Sequence, residues 1–188
     1  MKQVVTIDFD IIMGPSISIY NNWVGDNNTV DDIMKEFSCL SLPNADLDKY
    51  RILTNFIRSV DKEKISFITR HREMGRFVSE FDEPIELVNI DHHHDIDYFG
   101  EDTKDVLDGN WVKYYFDQGK VGKYCWVNNV NSDPPADRLT SDYPCEQFYF
   151  SQEILDELCP DKLIICLSPE WVPSAYHSLF TLWKEIVQ

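Results

Sequence analysis

Six short apolar runs punctuate this chain, and most of the segments between them carry apolar residues at helical spacing. The runs at 4–13 (VVTIDFDIIM), 65–69 (ISFIT), 85–90 (IELVNI), 124–127 (YCWV), 147–150 (QFYF) and 162–167 (KLIICL) predict strands, the first closed by Gly14-Pro15. Helical spacing predicts a helix over 29–40, with Thr29 as N-cap and acids in its first turn. A second covers 45–60, with Leu47, Tyr50, Leu53, Phe56 and Ile57 along one stripe. Further helices are expected over 73–81, 111–118 and 173–187. Strands alternating with helices predict an α/β protein of three layers, αβα, around a mostly parallel sheet. No repeat, low-complexity tract or Gly/Ser linker divides the chain, so residues 1–188 are expected to form one domain. The Pro-, Asp- and Ser-rich stretch 131–144 predicts a substrate loop or lid.

At 188 residues and 43% hydrophobic content, the chain can bury a core without disulfide or zinc staples. No run approaches the roughly 20 apolar residues that cross a bilayer. At the N-terminus, Asp8 and Asp10 follow too soon for a secretory signal. Cys39, Cys125, Cys145, Cys159 and Cys166 are odd in number and lack CxxC spacing, so reduced, packed thiols and a cytoplasmic setting are expected. The net charge of −16 argues against nucleic acid, whose phosphates need clustered Lys and Arg. It favours approach of a cationic substrate or peptide, or serves solubility alone.

The third run ends in Asp91-His92-His93-His94-Asp95. Asp91, His93 and Asp95 alternate and can project to one side, two oxygens and a nitrogen suited to a divalent cation. Strand ends are where open α/β sheets hold their chemistry. The first run supplies Asp8 and Asp10, and the second delivers His71. Four aspartates and two histidines match what a carboxylate-bridged pair of divalent ions requires, manganese before zinc or iron. Taken singly, Asp8 and Asp10 also read as a strand end bonding nearby amides, and His71, between Arg70 and Arg72, as a surface histidine. His92 and His94 should point away from the ligands, His94 being the nearer to substrate, while His177 reads as structural.

The order strand–His71 followed by Asp91-x-His93-x-Asp95 resembles the arginase and agmatinase ureohydrolases, whose hallmark is Asp-Ala-His-x-Asp. Gly109-Asn110-Trp111-Val112, Tyr124-Cys125-Trp126-Val127 and Leu167-Ser168-Pro169-Glu170-Trp171-Val172-Pro173 look more closely like the peptide arginases. Those are small members of the superfamily that act on arginine side chains in ribosomally made peptides, leaving ornithine. The resemblance covers most of the chain from Val4 to Pro173. It departs in three places. Ordinary arginases carry a late Asp-x-Asp pair, which Asp8 and Asp10 replace if the strand order is permuted. His92 stands where the motif has a small residue, and no histidine follows the fourth strand as a proton shuttle.

The resemblance implies a compact arginase-like fold and two Mn²⁺ ions. Asp91 and Asp8 would bridge them, His71 and Asp95 completing one shell and His93 and Asp10 the other. It implies hydrolysis of a guanidino C–N bond with release of urea. Asp95 would carry a proton, His94 would lie beside substrate, Glu170 would pair with the guanidinium, and Asn110 and Asn128 would form polar walls. Glu170 reads equally as a carboxylate near the start of the last helix; Trp111 and Trp126 read as core. The expected partner is an arginine-containing precursor peptide, with no nucleic acid or membrane, and a homo-oligomer is compatible. Three competitors stay open. Asp91-His92-His93 spells the motif of DHH-type phosphoesterases, though no histidine precedes Asp8-Phe9-Asp10 as that family requires. A metal-dependent amide hydrolase of the deacetylase type is another enzyme reading, and a non-catalytic, metal-stabilised binding or immunity protein is a third.

Overall fold

A computed structural model describes residues 1–14, 28–36, 44–98 and 105–188. Strands β1 (Gln3–Asp8), β2 (Ile65–Ile68), β3 (Ile85–Ile90), β4 (Val121–Asn128), β5 (Cys145–Tyr149) and β6 (Lys162–Cys166) form one sheet in the order β2-β6-β1-β3-β4-β5. Every neighbouring pair is parallel. Parallel strands need long crossovers, and these contain α1 (Val30–Glu36), α2 (Leu47–Ser59), α3 (Gly75–Val78), α4 (Trp111–Asp117), α5 (Asp137–Asp142) and α6 (Gln152–Asp156), with α7 (His177–Val187) closing the chain.

Successive strand residues serve opposite faces of the sheet. Val5, Ile7, Val88, Ile90, Val127 and Ile165 pack in one core with α1, α2, α6 and α7. Val4, Leu87, Tyr124, Trp126 and Ile164 pack in a second with α3 and α4. Helices on both faces make the three layers that the alternation predicts, and double burial explains why the strands read as near-continuous apolar runs. Among the described residues, no helix is long and apolar enough to cross a membrane. Cys125, Cys145, Cys159 and Cys166 are free thiols, while Cys39 lies outside the described residues.

Several boundaries differ from expectation, each for a local reason. The first strand stops at Asp8, whose side chain accepts from Asp10 N at 3.1 Å and turns residues Phe9–Ile12 into a 3₁₀ helix. Asp46 caps α2 through the amides of Asp48 and Lys49, which leaves Leu47 in the first turn and 66% exposed instead of on the buried stripe. The helix expected over 73–81 is a 3₁₀ turn, His71–Met74, running into α3. Stretch 131–144 contains α5 and is not wholly a loop, and α6, capped by Ser151, was unforeseen. Helices of five or six residues are too short for a periodic signal. The last helix begins at His177 after a 3₁₀ turn, Ser174–Tyr176. The helix expected over 29–40 runs to Glu36, with Thr29 Oγ1 accepting from Asp32 N; positions 37–40 lie outside the described residues.

Candidate metal centre

The chain runs from β1 outward to β2, then returns to β3 on the opposite flank of β1. The C-terminal ends beside such a reversal form the crevice of an open α/β sheet. Ile7 lies opposite Ile90, so Asp8 and Asp91 leave adjacent strands at the same level. On the other flank, Asp8 pairs with Cys166 and Ile68 pairs with Cys166, which brings the segment carrying His71 to the same edge. The 3₁₀ turn after Asp8 keeps Asp10 over this edge, where its Oδ1 accepts from His92 N at 3.3 Å. Beyond β3, Asp91 Oδ1 accepts from His93 N at 2.8 Å. Asp95 (φ 50°) and Ser168 (φ 46°) are the non-glycine residues with positive φ among those described, and both border the crevice. Such backbone strain gathers where function overrides local preference.

The six predicted ligands meet in two groups. In one, His71 Nδ1 lies 3.3 Å from Asp8 Oδ2, 3.2 Å from Asp95 Oδ2 and 4.0 Å from Asp91 Oδ2. In the other, His93 Nδ1 lies 2.9 Å from Asp10 Oδ2 and 3.8 Å from Asp91 Oδ1. Asp91 therefore sends one oxygen to each group. All six are buried. Asp8 sits in the His71 group, where its Oδ2 also accepts from the Ser168 hydroxyl, and Cys166 Sγ lies beside this pair.

Their electrostatics call for added positive charge. Burial, then the charges of Asp95, Asp10 and Asp8, push the Asp91 carboxyl well above the usual range. Burial and Asp10 push Asp8 up to about 8. Burial opposes charge on His71, but Asp8 and Asp95 outweigh it and lift the imidazole to about 9. Burial is likewise outweighed at His93, raised by Asp10, and at Asp10, lowered by His93. Asp10 Oδ2 and His93 Nε2 are buried without a hydrogen bond, although Asp10 Oδ2 stands 2.9 Å from His93 Nδ1. Ligand atoms that face one another with no well-directed donor between them are costly to bury, and a cation relieves that cost. The residues thus fit metal, and oxygen-rich ligation with imidazole is the donor set of a hard or intermediate divalent ion.

Around the ligands, the indoles expected as core do more than pack. Trp111 is fully buried, donates from Nε1 to Asp95 Oδ2 at 2.6 Å and stacks on His71 with centroids 5.0 Å apart. Trp126 Nε1 donates to Asp91 O at 3.0 Å, and Asn89 Nδ2 donates to Asp91 Oδ2 at 3.1 Å. Such outer contacts orient ligands and fix their ionisation. His92 faces away, its Nδ1 3.3 Å from Ser132 Oγ and 3.4 Å from Asn129 Nδ2. His94 Nδ1 accepts from Ile96 N at 3.1 Å and its ring stacks on Tyr98. Burial, chiefly, brings both imidazoles down to about 4 and keeps them neutral.

The remaining predicted residues have different surroundings. Glu170 is buried and pairs with Arg70, so a guanidinium from this chain already meets that carboxylate. Asn110 uses its amide on the loop before α4, accepting from Leu107 N at 2.7 Å and donating to Asp105 O at 3.3 Å. Asn128 is buried with Oδ1 unpartnered. His177 Nε2 lies 2.9 Å from Val172 O, a local contact at the start of α7. Sequence reasoning missed Asp108, which accepts from Arg72 N at 2.9 Å and lies 3.4 Å from Arg70 Nη1, strapping both arginines beside His71. It also missed Trp171, whose ring lies 4.3 Å from that of His93. Their only trace in the sequence was adjacency to the Gly109-Asn110-Trp111-Val112 and Ser168-Pro169-Glu170 segments. Compared with family models, curated proteins and solved structures, the chain matches none.

Proposed function

We propose that this chain is a binuclear, metal-dependent hydrolase of the peptide-arginase kind, converting arginine side chains of a ribosomally made precursor peptide to ornithine with release of urea. The observation carrying this reading is the division of Asp91's two oxygens between the His71 and His93 groups. It agrees with the bridging role that the Asp-x-His-x-Asp resemblance implies for Asp91, whereas Asp8, implied as the second bridge, stands in the His71 group. Direct pairing of β1 with β3 supports Asp8 and Asp10 as the replacement for the late aspartate pair of ordinary arginases.

Asp8, Asp91, Asp95 and His71 would hold one cation, and Asp10, Asp91 and His93 the other, manganese being favoured by the oxygen-rich donor set. Divalent cations supply there a water ionised near neutral pH and polarise the reacting carbon. Burial of the ligands excludes competing bulk water. With such cations bound, the water oxygen would bond to the guanidino carbon Cζ as the Cζ–Nε bond breaks, and Asp95 would carry a proton from that oxygen to Nε, leaving ornithine and urea. Trp111 holds Asp95 in place for this transfer. Glu170 receives the planar guanidinium in a two-point contact shared with, or taken over from, Arg70. His94, neutral and stacked on Tyr98, forms a wall beside the substrate rather than a shuttle.

Mass spectrometry of arginine-containing peptides incubated with manganese-loaded protein tests this reading. Loss of one cyanamide unit per modified arginine, with matching urea, is the expected result. Unchanged masses across a broad peptide set would overturn it, and hydrolysis of phosphodiesters to phosphomonoesters would favour the DHH-type reading.

A further inference from the structure

β5 is the last strand on its side of the sheet, and among the described residues it pairs with β4 alone. Open edges are usually blunted by lysine, proline or a covering segment. Here the strand reads CEQFY, and its single charge, Glu146, lies 3.2 Å from Lys123. Phe148 and Tyr149 are exposed, and so is Val130 nearby. Phe150 N donates to Asn128 O. Since peptide groups alternate in direction along a strand, Glu146 and Phe148 turn theirs toward β4, while Gln147 and Tyr149 turn theirs outward.

At the C-terminal end of this edge is a cavity of about 190 Å³, walled by Trp126, Asn128, Ser132, Pro134 and Tyr149 among others. Whole-ligand pockets run to roughly 300–1,000 Å³, so this volume suits a single side chain. Asn128, 5% exposed, contributes to it with Oδ1 unpartnered, an acceptor awaiting an N–H donor. Two cavity residues touch the metal centre's backbone or neighbours: Trp126 bonds Asp91 O at 3.0 Å, and Ser132 Oγ lies 3.3 Å from His92 Nδ1. The segment 128–157, which contains β5, has seven acidic residues and one basic, Arg138, and Lys123 and Lys49 adjoin it at Glu146 and Phe150, so acids still outnumber bases there. An edge with this charge selects cationic chains.

We infer that the free edge of β5 takes an extended basic peptide as an added strand, with one of its side chains seated against Asn128 in the adjoining cavity. This rests on the reading of the protein as a peptide-modifying hydrolase and specifies how the peptide is held, with main-chain bonds to Gln147 and Tyr149 aligning it toward the centre. Fluorescence anisotropy with a labelled peptide alternating valine and arginine tests it on the full chain. The peptide should bind, its counterpart with glutamate for arginine should not, and Gln147→Pro, which removes one outward amide without touching the β4 ladder, should weaken binding about tenfold. Hydrogen exchange of the unsubstituted protein should show the amides of Gln147 and Tyr149 protected by the peptide, a readout that survives if the variant does not fold. Binding unaffected by Gln147→Pro in a folded variant, or no protection of those amides, would overturn the proposal, as would concentration-dependent dimerisation that protects them without peptide. Edge binding without ornithine formation would leave the docking intact and remove the hydrolase reading. Ornithine formation without edge protection would do the reverse.

Discussion

Asp91 touches both ligand groups, so its loss removes a ligand from each. Asp91→Asn and His93→Ala should abolish urea release and lower bound manganese, measured by elemental analysis, while far-ultraviolet circular dichroism stays unchanged. Full turnover in either variant would end the binuclear assignment. Trp111→Phe keeps a ring against His71 but removes the N–H that holds Asp95 at 2.6 Å. Loss of one hydrogen bond to a charged partner should lower kcat about tenfold with KM little changed. Glu170→Gln leaves the Arg70 guanidinium with Asp108 as its carboxylate partner and should raise KM for arginine peptides more than it lowers kcat. Unchanged kinetics would make Glu170 a purely structural clasp. Among these residues, the alternation Asp91, His93, Asp95 was legible because side-chain direction follows from spacing alone. Arg70, Asp108 and Trp171 were not, since their partners lie far away in sequence.

Strands were the most legible elements. A strand buried on both faces needs apolar residues at every position, and that signal survives without tertiary context. Helix ends were less so, because single side chains such as Asp46 and Ser151 decide them. α7 covers one face of the sheet through Trp183, which stacks on Tyr50 at 5.0 Å and donates from Nε1 to Thr54 Oγ1 at 2.8 Å. Trp183→Ala should cost about 3–5 kcal/mol of stability, read from urea unfolding. The ring of Phe9, between Asp8 and Asp10, lies 4.9 Å from that of Trp183, but β1 and the 3₁₀ turn after it hold the backbone of both aspartates, so the manganese bound per folded molecule should change little. A loss of metal in the folded variant would show that α7 supports the centre as well as the sheet.

For the molecule as a whole, the buried charges set a pH signature once metal is removed. Folding lifts His71 from its ordinary 6.5 to about 9 and Asp8 from 3.8 to about 8, and it raises Asp91 in the same direction. A group with a raised folded pKa stabilises the fold below its unfolded value and loses that contribution as pH rises through the folded one. The melting temperature of the chelated protein should therefore fall as pH climbs from 3.8, where Asp8 begins to lose its contribution, to about 9, where His71 completes the loss. Manganese should flatten this decline, because deprotonated ligands bind the cation that compensates them. A flat profile for the chelated protein would show that the carboxylates do not share one buried field. The overall charge of −16 adds a weaker, salt-sensitive repulsion on the same alkaline side.

Read alone, the chain determined its layered α/β class, the six strands and the identity of six candidate ligands, because strand burial and side-chain alternation are properties of adjacent residues. Only folding decided that β1 lies between β6 and β3, since strand order depends on contacts between distant segments. That order brings Asp8 and Asp10 to His71 and to the motif after β3. It also commits Glu170 to Arg70, closes Asn110 into its own loop and leaves the edge of β5 open. Such outcomes turn on which side chains share a volume, a quantity that no local pattern encodes.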